Sequence, residues 1–101
     1  MILTAHLKDL TISYKRNKLK ISNEDFSLYI DIYENNDQGV FLGYSEHKII
    51  NDFDSKNKIK QILGTLEFNL ILKDYKNISD YVLDIVRDFD EVEEYKIEAV
   101  Y

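Results

Sequence analysis

Residues 26–44 read FSLYIDIYENNDQGVFLGY, and the alternation inside this stretch decides the fold. Phe26, Leu28, Ile30 and Ile32 fall on one face of a strand and Val40, Leu42 and Tyr44 on one face of its partner, the period of two expected of strands with one buried face. The linking ENNDQG has hairpin chemistry. Gly39 can take a left-handed conformation after a type I turn, giving a bulge that pairs even positions with even positions. In that register both apolar sets lie on one side of the sheet. Tyr29, Asp31, Tyr33 and Phe41 then point away from the core, where exposed aromatics beside a carboxylate suit an interface anchor unless a helix covers them.

Toward the amino terminus the alternation continues. Leu3, Ala5 and Leu7 share one parity and Leu10, Ile12 and Tyr14 the other, with a phase slip at Lys8 and Asp9. Lys-Asp is poor chemistry for a two-residue turn, so one long bulged strand is expected here in preference to a hairpin. YKRNKLKIS, residues 14–22, reads as a reversal at Asn17 followed by a short strand presenting Leu19 and Ile21.

Toward the carboxyl terminus, Ile59, Ile62 and Leu63 have helical spacing. Asp54 or Ser55 can cap the start and Gly64 can stop the chain, so a short helix is expected over about 55–63. TLEFNLILK, residues 65–73, alternates Leu66, Phe68, Leu70 and Leu72 against polar partners and predicts a strand. Ile78, Val82, Ile85, Val86 and Phe89 recur at helical spacing with Asn77 as cap. They predict a longer amphipathic helix over about 78–90. Tyr95, Ile97, Ala99 and Tyr101 mark a closing strand, and a strand–helix–strand order at this end allows a right-handed parallel crossover. The expected architecture is α+β: one domain over residues 1–101, built on a mainly antiparallel sheet of six to seven strands with the two helices on a face.

The composition narrows the functional classes. No cysteine occurs, which removes disulfides, thiolate catalysis and sulfur-ligated zinc. The amino terminus shows no export pattern and no apolar run is long enough for a membrane span, so a cytoplasmic protein is expected. Three glycines leave no phosphate-cradling loop, and His6 and His47 have no flanking metal pattern. NDFDSKNK alternates Asp52 and Asp54, yet Lys56 stands where a third calcium ligand belongs. Neighbouring Glu93 and Glu94 would point to opposite faces of a strand and cannot flank one bond. No catalytic residues, cofactor or metal are expected.

Net charge is −6, and its placement carries the functional reading. Residues 1–73 hold ten acids and ten bases, whereas residues 74–101 hold nine acids against Lys76, Arg87 and Lys96. On a helical wheel Asp80, Asp84, Asp88 and Glu91 share one face, and Asp90, Glu93 and Glu94 follow. Such a ridge complements a cationic surface on another protein, and that complementarity accelerates association. The basic run KRNKLK, residues 15–20, can track a phosphate backbone, but the acidic balance of the whole chain weighs against nucleic acid as a direct partner.

The expected function is therefore a small cytoplasmic inhibitor. It would be an immunity protein that neutralises a cognate nuclease toxin by covering its basic surface. Asp80, Asp84, Asp88, Asp90, Glu91, Glu93, Glu94, Tyr29, Tyr33 and Phe41 are its candidate contacts. The same physics also fits an anti-defence protein whose carboxylates imitate nucleic-acid phosphates. A different class, an assembly subunit using strand edges and aromatics, is the remaining alternative.

Overall fold

The structure, a computed structural model, describes residues 2–35, 39–52, 54–89 and 96–100, and of residues 35, 44, 45 and 96–100 the backbone alone. It is α+β, with a six-stranded antiparallel sheet and two helices. The strands are β1 (Ile2–His6), β2 (Thr11–Lys15), β3 (Lys18–Ser22), β4 (Phe26–Asn35), β5 (Gly39–Ile49) and β6 (Lys96–Val100). Helices α1 (Ser55–Leu72) and α2 (Ile78–Asp88) lie between β5 and β6 in the chain. The first five strands form a meander. β6 returns to the far edge beside β1, giving the order β5-β4-β3-β2-β1-β6.

Alternation places one face of this sheet in the core. Leu3 and Ala5 on β1 stand opposite Tyr14 and Ile12 on β2, which stand opposite Leu19 and Ile21 on β3, then Ile30 and Leu28 on β4. All are buried, and with Tyr81, Val82, Ile85 and Val86 of α2 and Ile59, Ile62 and Leu66 of α1 they form one cluster. Burying side chains of this size contributes roughly 1.5–3 kcal/mol each. The helices thus cover a single face, and among the described residues the other face carries no helix.

The central hairpin follows its sequence. Gly39 has φ +81°, and a Cβ there would come within 3.0 Å of the Tyr75 carbonyl oxygen, so this position requires glycine twice over. Even positions pair with even positions at the tip, Ile32 with Leu42 and Glu34 with Val40. A register shift between Ile30 and Ile32 then lets β5 run on to Ile49, further than the apolar pattern reached.

Three expectations require correction. The slip at Lys8 and Asp9 is a chain reversal, not a bulge: β1 and β2 are separate antiparallel strands closed by a Leu7 amide to Leu10 carbonyl bond of 2.8 Å. Burial of both parities on one face outweighs the weak turn propensity of Lys-Asp. The next reversal is a tight turn with positive φ at Arg16 (52°) as well as Asn17 (63°), matching the twist that two-residue hairpin loops need.

The second correction concerns residues 65–73. They are not a strand; α1 continues through Gly64 to Leu72 and becomes the longer helix, at 18 residues against 11 for α2. Ser55, Ile59, Ile62, Leu66 and Asn69 recur at intervals of four and three and form its buried stripe. Gly64 sits on the solvent side with no atom within 4 Å of an added Cβ, and glycine in a helix interior costs only about 1 kcal/mol. Packing of Leu66 more than offsets that cost.

Third, with no strand at 65–73 there is no parallel crossover; α1 is followed by α2 across residues 73–77, and β6 is antiparallel to β1. α2 itself starts as expected, the Asn77 side chain accepting from the Asp80 amide at 2.9 Å. Asp54 occupies the cap position of α1 without making a side-chain cap bond.

The helical assignment of residues 65–73 has a direct test. Leu66→Ala removes a fully buried side chain and is expected to cost about 2–5 kcal/mol in chemical denaturation. Phe68→Ala and Leu72→Ala, at 57% and 63% exposed, are expected to stay within about 0.5 kcal/mol of the parent. Equal losses at all three positions would restore the strand.

Candidate interaction surfaces

The expected site residues fall on two opposite faces. Asp80, Asp84 and Asp88 lie on α2, on the helix side of the sheet. Tyr29 and Tyr33 alternate with the buried Leu28, Ile30 and Ile32 on β4, and with Phe41, paired with Tyr33 from β5, they lie on the uncovered side. One flat partner surface cannot touch both sets. Asp90, Glu91, Glu93 and Glu94 lie outside the described residues.

On the helix side, two of the three aspartates hold the helices together. Asp84 Oδ2 accepts from Lys73 Nζ at 2.6 Å and from the Tyr75 hydroxyl at 2.6 Å. Hydrogen bonds from Lys73 and Tyr75 hold the Asp84 carboxyl below its ordinary range, against an opposing effect of partial burial. The reciprocal bond raises Lys73. Burial, followed by the Asp84 contact, pushes the Tyr75 phenol upward.

Further along, the Asn69 side-chain amide donates to the Asp88 carboxylate. The buried Tyr81 hydroxyl donates to the Leu66 carbonyl at 2.9 Å, and burial raises this phenol too. The Tyr81 ring meets Tyr75 edge to face, with centroids 4.9 Å apart. Asp80 is exposed, in the first turn of α2, where a carboxylate complements the helix dipole.

On the sheet side, the aromatics form a platform near the β2–β3 turn. Tyr33 and Phe41 are paired across β4 and β5, their rings stacked with centroids 5.4 Å apart and each 42% exposed. A Cβ at Gly43 would collide with the Tyr33 ring, so this glycine lets the ring lie down on the strand beside it. Lys20 Nζ stands 5.6 Å from the Tyr29 ring centroid, a cation–π distance. Lys18 pairs loosely with Asp31 at 4.0 Å.

Among the described residues, Lys15, Arg16, Lys18 and Lys20 make no ion pair with α2. Nor do three or more His, Cys, Asp or Glu side chains come close enough among them to hold a metal ion. His6 and His47 are exposed on β1 and β5, with three strands between them. At the opposite end of the sheet an open groove of about 870 Å³ is walled by residues of both signs, including Lys8, Asp9, Asp25 and Lys58. Among the described residues, no helix is long and apolar enough to cross a membrane.

Compared with known protein families, curated proteins and solved structures, the chain matches none. The sequence pattern missed the Lys73–Asp84–Tyr75 contact. Its members are nine and eleven positions apart across an interhelical loop, so no local spacing signals it.

The sign of the Asp84 effect is fixed. A carboxyl whose folded pKa is lowered contributes stability above its unfolded value of about 3.9, and that contribution disappears as pH falls through the folded value. Asp84→Asn is expected to lower stability at pH 7 by about 1–2 kcal/mol. Melting curves of parent and variant should converge as acid protonates Asp84; a gap that persists unchanged at low pH would remove this role.

Proposed function

We propose that the chain is a small acidic binding protein that acts by occlusion, an immunity-type inhibitor that covers the cationic surface of a cognate nuclease toxin. The reading rests on segregation of charge. The cations of the β2–β3 turn lie on the uncovered side of the sheet and do not fold back onto the helix side. On the helix side the lysines lie on α1, at Lys56, Lys58 and Lys60, whereas α2 carries Asp80, Asp84 and Asp88 and the sequence continues with Asp90, Glu91, Glu93 and Glu94. A local concentration of carboxylates, such as α2 and the residues after it supply, raises encounter rates with a basic partner at low salt and disfavours nucleic acid at the same site.

Asp84 and Asp88 then have two roles. Each fastens α2 to α1 while adding to the negative field of that side. Asp80, Glu91, Glu93 and Glu94 are the positions for testing the field, because their reversal leaves the Lys73–Asp84–Tyr75 contact intact.

Affinity capture from the native host, followed by titration of the purified partner, tests this reading. The expected partner is a basic nuclease, inhibited stoichiometrically, with an affinity that falls steeply as salt rises. Combined Glu91→Lys, Glu93→Lys and Glu94→Lys substitution should weaken binding by about tenfold or more and flatten its salt dependence. An acidic partner, or an affinity indifferent to both salt and the triple change, would overturn the proposal.

A further inference from the structure

The uncovered face of the sheet carries a second surface of opposite character. Its described charged side chains are Lys15, Lys18, Lys20 and Lys48 against Asp31 and Glu46, a local excess of two positive charges in a chain whose net charge is −6. The cations are concentrated at one end. Lys15 and Lys18 stand directly opposite each other across β2 and β3, and like charges in that relation destabilise a sheet. Arg16 sits in the turn between them with φ 52°. Among the described residues the ion pair made by this group is Lys18 with Asp31, at 4.0 Å, so most of its charge is left for an external anion.

The same end carries the aromatic platform. Ile32 donates its amide to the Asn17 carbonyl at 2.8 Å, which sets the neighbouring Tyr33 beside the Arg16–Asn17 turn. The stacked Tyr33–Phe41 pair therefore adjoins the cations, and Tyr29, under Lys20, lies four residues back along β4, about 13 Å away. Flat rings interspersed with cations along one strand direction are the recognition chemistry of an unpaired polynucleotide, whose bases stack while its phosphates are neutralised. An acidic peptide would use the cations but leave the rings without a planar partner.

We infer that the Tyr29–Tyr33–Phe41 face, with Lys15, Arg16, Lys18 and Lys20, binds single-stranded nucleic acid. This surface is separate from the helix side. At physiological ionic strength the Debye length is about 8 Å, so the acidic groups beyond the sheet are screened and the local cations govern the contact.

Fluorescence anisotropy of the purified chain with a labelled single-stranded oligothymidine of about twelve nucleotides is the test. The expected dissociation constant is on the order of micromolar at about 50 mM salt, and neutralising three phosphates makes a fourfold rise in salt weaken it about 20-fold. Combined Tyr33→Ser and Phe41→Ser should cost about tenfold or more, and Gly43→Ala should act in the same direction by lifting the Tyr33 ring. Lys15→Gln with Lys18→Gln, far from the core, should weaken binding and reduce the salt slope by about 1.4.

No anisotropy change up to about 100 µM protein would overturn the inference, as would full affinity in the Tyr33/Phe41 variant. Competition by polyglutamate as strong as by the oligonucleotide would assign the face to acidic proteins instead. Equal affinity for a duplex of the same length would reduce it to undirected charge attraction. These outcomes are read on the isolated chain with outer-face variants, so they leave the toxin-inhibitor reading standing or falling on its own experiment.

Discussion

The structure depends on burial of one face of a sheet against two helices. Each strand alternates, so committing Leu28, Ile30 and Ile32 to the core commits Tyr29, Asp31 and Tyr33 to the other side. The rest follows from covering that single apolar face. Two helices of this length are enough to shelter the central strands, and no element remains among those described to cover the opposite face. The aromatic platform is exposed because the core is satisfied without it.

Attachment of α2 to α1 combines apolar packing with a line of polar contacts. Tyr81 reaches the Leu66 carbonyl, Asn69 reaches Asp88, and Lys73 and Tyr75 share Asp84. Two aspartates that read on the wheel as surface charge are thereby partly spoken for. A helix carrying Asp80, Asp84 and Asp88 at four-residue spacing suffers like-charge repulsion of a few tenths of a kcal/mol per pair. Donors from α1 and the interhelical loop relieve it at two of the three positions.

The sheet consequently separates two chemistries. Its helix side carries Asp80, Asp84 and Asp88 on α2 beside Lys56, Lys58 and Lys60 on α1, and α2 leads in sequence into the acidic residues that follow it. Its outer side presents stacked rings and a group of lysines whose positive charge is only partly matched by Asp31 and Glu46. A domain with two chemically distinct faces can hold different partners at once, or present different faces in turn. Each face follows from the strand period and the placement of a few side chains.

The sequence by itself determined the period of β1 to β4 and of β5 as far as Tyr44, the left-handed glycine at position 39, the start of α2 at Asn77 and the outward direction of Tyr29, Tyr33 and Phe41. These are local properties, set by side-chain alternation, turn conformation and capping over a few residues. Tertiary structure decided what local pattern left degenerate. Leu66, Phe68, Leu70 and Leu72 fit a strand as a period of two, while Ile59, Ile62, Leu66 and Asn69 fit a helix; the helix prevails because Leu66 and Asn69 find partners on α2 that a strand would not reach. The reversal at Lys8 and Asp9 was settled likewise, by the pairing of β1 with β2 and the burial it secures. Which carboxylates remain free for a partner was also beyond local pattern, since the donors that bind Asp84 and Asp88 come from residues 9 to 19 positions away and meet them only once the helices pack.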